Sequence, residues 1–272
     1  VLRHASAVTS VSLWWVNTMD ENACLAAMAT VGSMAPQLSR LDDGTLCPSA
    51  EHAGIIARTM PNLKSLMLNG MATGSDGEEG LASLWEAPPC SRLTTLVFSG
   101  DDVGVPRRVC ESACCPQLRQ LRGICLPGEG AVALARGLPS LEVLDAVPEG
   151  RWACAGQAVF GRITQARLVD CCESFTVHAR ISSLMPSLER LTLWEDHARV
   201  NADLAGATQL THLVLGCKED GGFFALQPHA WAALSTPYRL RHLSLHVMAA
   251  EVPRLARLPA ALEVLSVNAA YG

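Results

Sequence analysis

Apolar residues recur along the chain with one spacing, at relative positions 1, 4 and 6 of a short motif. The clearest copy is Leu188-Glu-Arg-Leu191-Thr-Leu193. Eleven copies follow one another at intervals of 22 to 30 residues, beginning at Val8, Leu38, Leu63, Leu93, Leu118, Leu141, Ile163, Leu188, Leu210, Leu240 and Leu262. Of the 33 positions that the motif defines, 31 are apolar, and the exceptions are Asp43 and Gly123. A period of this length predicts a repeat solenoid.

Each copy of the motif predicts a strand that is followed by a helix. In a strand, positions 4 and 6 share the core face, so positions 3, 5 and 7 lie on the opposite face. A proline cannot continue a helix and favours extended chain before it. Five copies carry such a proline two places before position 1, at Pro36, Pro61, Pro116, Pro139 and Pro186. Helices are expected after Asp20, after Pro48-Ser-Ala-Glu51, over Leu81 to Trp85, after Gly128 and around Trp231.

On this motif and its proline, the chain resembles the leucine-rich repeat family over nearly its full length, in the ribonuclease-inhibitor-like or F-box-associated type with degenerate repeats. At position 9, where the family carries Asn or Cys, only Cys171 matches. The resemblance implies an α/β solenoid, a horseshoe of about eleven units with a parallel β-sheet on the concave face and helices on the convex face. We expect residues 1–272 to form a single domain. Because solenoids need polar terminal units, we expect this domain to be an excerpt of a longer chain or to be capped by partners.

Charge and cysteine content narrow the class of partner and the compartment. A formal charge of −5 and a pI near 5.9 do not indicate the positively charged surface that nucleic acid binding needs. Other proteins are therefore the expected partners. Eleven cysteines, including the vicinal pairs Cys114-Cys115 and Cys171-Cys172, fit a disulfide framework poorly. They indicate a reducing compartment, most simply the cytoplasm. No apolar stretch approaches the 18 or so residues of a membrane span.

Neither a metal site nor a catalytic site stands out in the sequence. Cys110, Cys114, Cys115 and Cys125 match no usual zinc spacing and are better explained as core packing. The histidines have no serine, cysteine or paired carboxylate at a spacing that names a nucleophile or an acid–base pair. We therefore expect no cofactor, no metal and no enzyme. An enzyme or a GTPase-activating protein stays open as a third possibility.

Cationic and aromatic residues gather at the predicted concave positions of the middle and C-terminal units. Arg and Trp are the residue types that most often anchor protein interfaces. The alternative is that the exposed tryptophan merely covers its neighbours. The predicted partner-binding residues are Arg122, Arg167, Arg190, Trp194, His212, His242 and His246. Asp145 is expected beside them and would partly neutralise the patch, which favours an acidic, partly apolar protein segment as the ligand.

Two functions fit this sequence. The first is a non-enzymatic protein-interaction module, a scaffold or structural subunit of a larger intracellular assembly that binds other proteins, as subunits of a multi-protein complex, through the concave face. The alternative is the substrate-recognition repeats of an F-box-type ubiquitin-ligase receptor. An F-box is a separate helical segment, so the repeats themselves do not separate the two.

Overall fold

The structure is a computed structural model that describes residues 7–13, 21–43, 50–68, 92–99, 103–104, 115–149, 160–170, 181–195, 207–217, 232, 234 and 239–270. The chain divides into two compact units. The first unit comprises Val1–Cys125 and Ala133–Leu141, and the second comprises Leu126–Val132 and Glu142–Gly272. The helices predicted over Leu81 to Trp85 and around Trp231 fall outside the described residues, apart from isolated helical positions at 232 and 234.

All eleven copies of the motif form a strand, and every one of these strands begins at position 3. Their bounds are Ser10–Leu13 (β1), Arg40–Asp43 (β2), Ser65–Leu68 (β3), Thr95–Phe98 (β4), Gln120–Pro127 (β6), Val143–Glu149 (β7), Gln165–Asp170 (β8), Arg190–Glu195 (β9), His212–Cys217 (β10), His242–Met248 (β11) and Val264–Ala270 (β12). An additional two-residue strand, Val103–Gly104 (β5), lies outside the motif. The predicted fold class, an α/β leucine-rich-repeat solenoid, is confirmed at the level of its strands and their parallel pairing.

The helices lie between strands, as the sequence predicts. The described helices are Glu21–Met34 (α1), Ala50–Thr59 (α2), Gly128–Gly137 (α3) and Ile181–Leu184 (α4), with a 3-10 helix over Ala249–Arg257. The prolines mark β-turns that lead into the strands. The amide of Leu38 donates to the carbonyl of Ala35, and the amide of Leu188 donates to that of Met185. In each turn the proline is the second residue, where its restricted φ is favourable.

In the first unit the strands run parallel in chain order, β1-β2-β3-β4-β6, with β5 added beside β6. Their register joins equivalent motif positions, because Ser10 faces Arg40, which in turn faces Ser65. In the second unit the order is β7-β8-β9-β10-β11-β12, again parallel and again in motif register. A residue's motif position therefore predicts which residues lie beside it on the neighbouring strands of its unit.

In most of the described repeats, one carbonyl accepts two hydrogen bonds from the next repeat. The carbonyl of Glu189 accepts from the amides of Thr211 and His212, and the carbonyl of Thr211 accepts from those of Arg241 and His242. The same arrangement recurs at the start of most of the described strands. Because these bonds tie position 2 of one repeat to positions 2 and 3 of the next, they hold successive strands without a slip in register.

Core positions 4 and 6 are buried in the strands that have a neighbour on each side within their unit. Leu191 is 1% exposed and Leu213 is 1% exposed, whereas Leu265 on β12 is 46% exposed. Asp43, the polar exception at position 6, is nevertheless 1% exposed. Burial at this position therefore follows the strand geometry rather than the polarity of the residue.

The inside–outside alternation is wrong at position 7 of three strands. Ile124, Val147 and Val169 were expected on the concave face, but all three are buried. On β6 the residue before Ile124 is Gly123, whose φ of +73° departs from extended strand geometry. A Cβ on Gly123 would lie 1.8 Å from the Phe98 carbonyl oxygen, so only glycine fits there. Within the described residues, no helix is long and apolar enough to cross a membrane.

Candidate functional site

Six of the seven predicted partner-binding residues lie on four adjacent strands of the second unit. Arg167 is on β8, Arg190 and Trp194 are on β9, His212 is on β10, and His242 and His246 are on β11. All six occupy motif position 3, 5 or 7, on the face opposite the buried leucines. We call this group, Arg167, Arg190, Trp194, His212, His242 and His246, the open face.

Arg122, the seventh predicted residue, belongs to the first unit. It lies on β6, in register with Val97 on β4, and is half-buried. Its Nε is buried and has no hydrogen-bond partner among the described residues. Arg122 is therefore described separately from the open face.

Position 3 of β9, β10 and β11 carries a row of three side chains that can be cationic. The register places Arg190 beside His212 and His212 beside His242. The two imidazole rings stack with their centroids 4.1 Å apart and their planes 4° from parallel. Because neighbouring strands are about 4.8 Å apart, a ring on each strand at the same position reaches this stacked geometry directly.

The neighbours of His212 disfavour its charged form. Burial lowers the pKa of His212 most, the positive charges of Arg190 and of protonated His242 lower it further, and Glu189 opposes them. The Nδ1 of His212 lies 2.8 Å from the hydroxyl oxygen of Thr211. His212 is accordingly more often neutral near pH 7 than a free histidine is.

An ion pair borders the open face at position 5. Arg167 Nη1 donates to Asp145 Oδ2 across 3.3 Å, and the side chains are 52% and 19% exposed, respectively. This is the neighbour that the motif register predicts for Arg167. Because the arginine is more than half exposed, solvent screening makes the pair worth little in stability. Its effect is to reduce the positive charge on the β8 side of the open face.

At position 7, two aromatic rings lie on either side of a glycine that leaves room for one of them. Trp194 on β9 is in register with Gly216 on β10, and the indole and the His246 ring on β11 have centroids 6.0 Å apart at 60°. A Cβ on Gly216 would lie 3.4 Å from indole atoms of Trp194. The indole therefore lies above the glycine, where a larger side chain would compete with it. Trp194 and His246 were predicted from the sequence, but the role of Gly216 was not. The signal for it is the absence of a side chain at position 7 of β10, between two aromatic residues at position 7 of β9 and β11.

The open face thus presents two chemically different rows. Position 3 offers guanidinium and imidazole groups, and position 7 offers flat apolar area from Trp194 beside His246. Four residues of strand separate the rows by roughly 13 Å. Planar arginine donors suit carboxylates, and tryptophan supplies rigid contact area. The arrangement can hold an extended segment that has an acidic part and an apolar part.

The described residues contain no group of three or more His, Cys, Asp or Glu side chains that could hold a metal ion. Of the cysteines considered for zinc, Cys115 and Cys125 are thiols buried in the core, and Cys110 and Cys114 lie outside the described residues. Cys115 is the first residue of the turn that contains Pro116 and ends at Leu118. Its burial at that place fits the packing role that the sequence suggests.

No protein-family model and no curated protein matches the chain. Among solved structures, the chain is similar to one in the crystal structure of the Rad7 and Elc1 complex in yeast, with 15% identity and a TM-score of 0.41 over 98% of this chain and 78% of that one. It is also similar to a chain in the crystal structure of a TLR13–ssRNA13 complex, with 16% identity and a TM-score of 0.38 over 88% of this chain and 37% of that one. The fold class rests on the chain's own strand register and buried core.

Proposed function

We propose that the protein is a non-enzymatic interaction module of the leucine-rich repeat kind, and that it binds another protein through the open face of its second unit. The observation that supports this proposal is the gathering of Arg167, Arg190, Trp194 and three histidines on one face of four in-register strands. An ordinary solvated sheet face would carry small polar side chains there. Arginine and tryptophan are enriched among residues that dominate binding energy.

The two rows of the open face define the class of ligand. The exposed guanidinium of Arg190 offers paired donors to a carboxylate, while the Trp194 indole offers apolar area at the other end of the same strand. The Asp145–Arg167 ion pair reduces the positive charge of the open face, so the ligand is expected to combine acidic groups with apolar area rather than to bind by charge alone. The partner is an acidic and partly apolar protein segment, presented by a subunit of a larger intracellular assembly. The buried thiols Cys24, Cys115 and Cys125 are compatible with a reducing compartment.

A second candidate, the substrate-recognition repeats of an F-box-type ubiquitin-ligase receptor, is favoured by the helix–proline turn–strand unit. This unit is seen where α1 ends at Met34, the turn contains Pro36 and β2 starts at Arg40. Affinity purification of the full-length protein distinguishes the two candidates. Ligase subunits among the co-purifying proteins support the receptor, and a fixed set of structural subunits supports the scaffold.

Alanine substitutions on the open face test the proposed binding surface. Truncation of an anchor typically costs at least about 2 kcal/mol, which is about thirtyfold in Kd. We expect Arg190→Ala and Trp194→Ala each to weaken binding of the co-purified partner by this factor, as measured by calorimetry. The matched controls are Arg58→Ala and Arg136→Ala, because both arginines are exposed in the last turns of helices. Loss of binding in the helix variants with no loss in the strand variants would place the interface on the helical side.

A further inference from the structure

The Thr211 hydroxyl contacts two acceptors but has one hydrogen to donate. Its oxygen lies 3.0 Å from the Glu189 carbonyl oxygen and 2.8 Å from His212 Nδ1. The hydroxyl hydrogen can go to either acceptor, so neutral His212 carries its own hydrogen on Nδ1 in one arrangement and on Nε2 in the other. Protonated His212 satisfies both contacts together, because Nδ1–H donates to the Thr211 oxygen while the hydroxyl donates to the Glu189 carbonyl.

Neutral His212 adds no positive charge to the row at position 3. When its Nε2 holds no hydrogen, it cannot bond a carboxylate, because both groups then present only lone pairs. If His212 takes up a second proton, Nε2 becomes a charged donor beside the guanidinium of Arg190. The row at position 3 then changes from one fixed cation to two adjacent cationic donors, which match the two oxygens of a carboxylate.

Among the described residues, the other charged groups around His212 and His242 do not supply the negative charge that a second cation in the row needs. Arg241, next to His242 on β11, is paired with Glu263 on β12. Val264, the β12 residue in register with His242, is apolar. Glu189 favours protonation of His212, but Arg190 and His242 oppose it. The 3-10 helix starts at Ala249, beyond the opposite end of β11.

The stacked ring of His242 restricts the pair to one proton. Two imidazolium rings with centroids 4.1 Å apart repel each other, whereas an imidazolium stacked on a neutral imidazole does not carry that cost. A carboxylate bound over Arg190 and His212 supplies the opposite charge that stabilises a single proton on the pair. Binding of the carboxylate is therefore coupled to uptake of protons from solvent.

We propose that Arg190, His212 and His242 form a carboxylate-binding site that binds its ligand together with one proton. The proposal rests on the proposed function, since it describes how the acidic part of the partner segment is recognised at the open face. A carboxylate within about 4–6 Å of an imidazole raises its pKa by about one unit or more. Affinity is then expected to rise about tenfold as pH falls from 7.5 to 5.5.

An N-acetylated octaglutamate peptide is a suitable probe, and octaglutamine is its uncharged control. The purified chain is titrated with each peptide in EDTA at pH 5.5, 6.5 and 7.5 by calorimetry, in two buffers of different ionisation enthalpy. Histidine ring protons are followed by NMR. With octaglutamate only, we expect a rise in the pKa of His212 and a net proton uptake of at most about half a proton per site, which is the limit for a pKa shift of about one unit.

Two variants separate this mechanism from general charge attraction. His212→Gln should abolish the pH dependence of octaglutamate binding. Thr211→Val keeps the β-branched shape but removes the acceptor of Nδ1–H in protonated His212. The charged form then loses a hydrogen bond, so the rise in octaglutamate affinity should move to lower pH. Circular dichroism of each variant verifies its fold.

Four results would overturn the inference. The first three are no octaglutamate binding at pH 5.5, pH-independent binding, and pH dependence that His212→Gln leaves intact. Tighter His212-dependent binding of octathymidylate than of octaglutamate would also overturn it, in favour of a nucleic acid ligand. The partner measurements with Arg190→Ala and Trp194→Ala test the proposed function independently of these outcomes. If partner binding needs Arg190 and Trp194 equally at every pH, the proposed function is supported, but the coupling of binding to protonation is refuted.

Discussion

Truncation of one buried leucine to alanine tests the repeat register directly. Leu191 is 1% exposed and lies in register between Ala166 on β8 and Leu213 on β10. Loss of a buried leucine side chain costs its transfer free energy plus a cavity term, together about 2–5 kcal/mol. Because Ala166 is already small, it cannot fill the void from one side, and we expect Leu191→Ala to lie in the upper half of that range.

Leu265 provides a matched control, since it occupies the same motif position on β12 but is 46% exposed. Only about half of its side-chain area is removed from water, and its truncation opens no enclosed cavity. We expect Leu265→Ala to cost about 1 kcal/mol or less. Urea unfolding of both variants, followed by circular dichroism, measures the difference. Equal destabilisation by the two substitutions would refute the assignment of position 4 to the core.

Two further substitutions test the open face and its alternation with the core. Leu191→Asp should destabilise the fold far more than Thr192→Asp, because it places an unpaired carboxylate in the core at a cost of several kcal/mol. Thr192 lies on the opposite face of the same strand. Thermal melts compare the two variants, and equal melting temperatures would contradict the alternation. Gly216→Val should displace the Trp194 indole and weaken partner binding about as much as Trp194→Ala does, while Gly216→Ala, whose Cβ would be 3.4 Å from the ring, should be tolerated. Undiminished affinity of the valine variant would show that the indole does not need the space above the glycine.

The strand pattern could be predicted from the sequence because its causes are local. Alternation of apolar and polar residues decides which side of a strand faces the core, and a proline turn decides where the strand begins. Both signals are present in the unit that leads to Leu188, where Pro186 is followed by the turn and by β9. Equal motif positions then pair across strands, so the juxtaposition of Arg190, His212 and His242 also followed from the sequence.

The same reasoning failed where a residue's environment depends on another part of the chain. Gly123 was an unexplained exception in the motif, and only the carbonyl of Phe98 against its Cα explains it. Ile124 was predicted on the open side, but it is buried, and it directly follows Gly123 with its φ of +73°. The exposure of Leu265 does not follow from its motif position, which is the same as that of Leu191.

The sequence by itself determined the repeats, their strands and the residues that share the open face, because periodicity and turn chemistry act within a few residues of the chain. Only the tertiary structure decided how those side chains meet. The stacking of His212 on His242, the placement of Trp194 above Gly216 and the hydrogen bonds of Thr211 each join residues from different repeats. A ring's orientation and a proton's position depend on distances of a few tenths of an ångström across strands, and those distances exist only after the strands have paired.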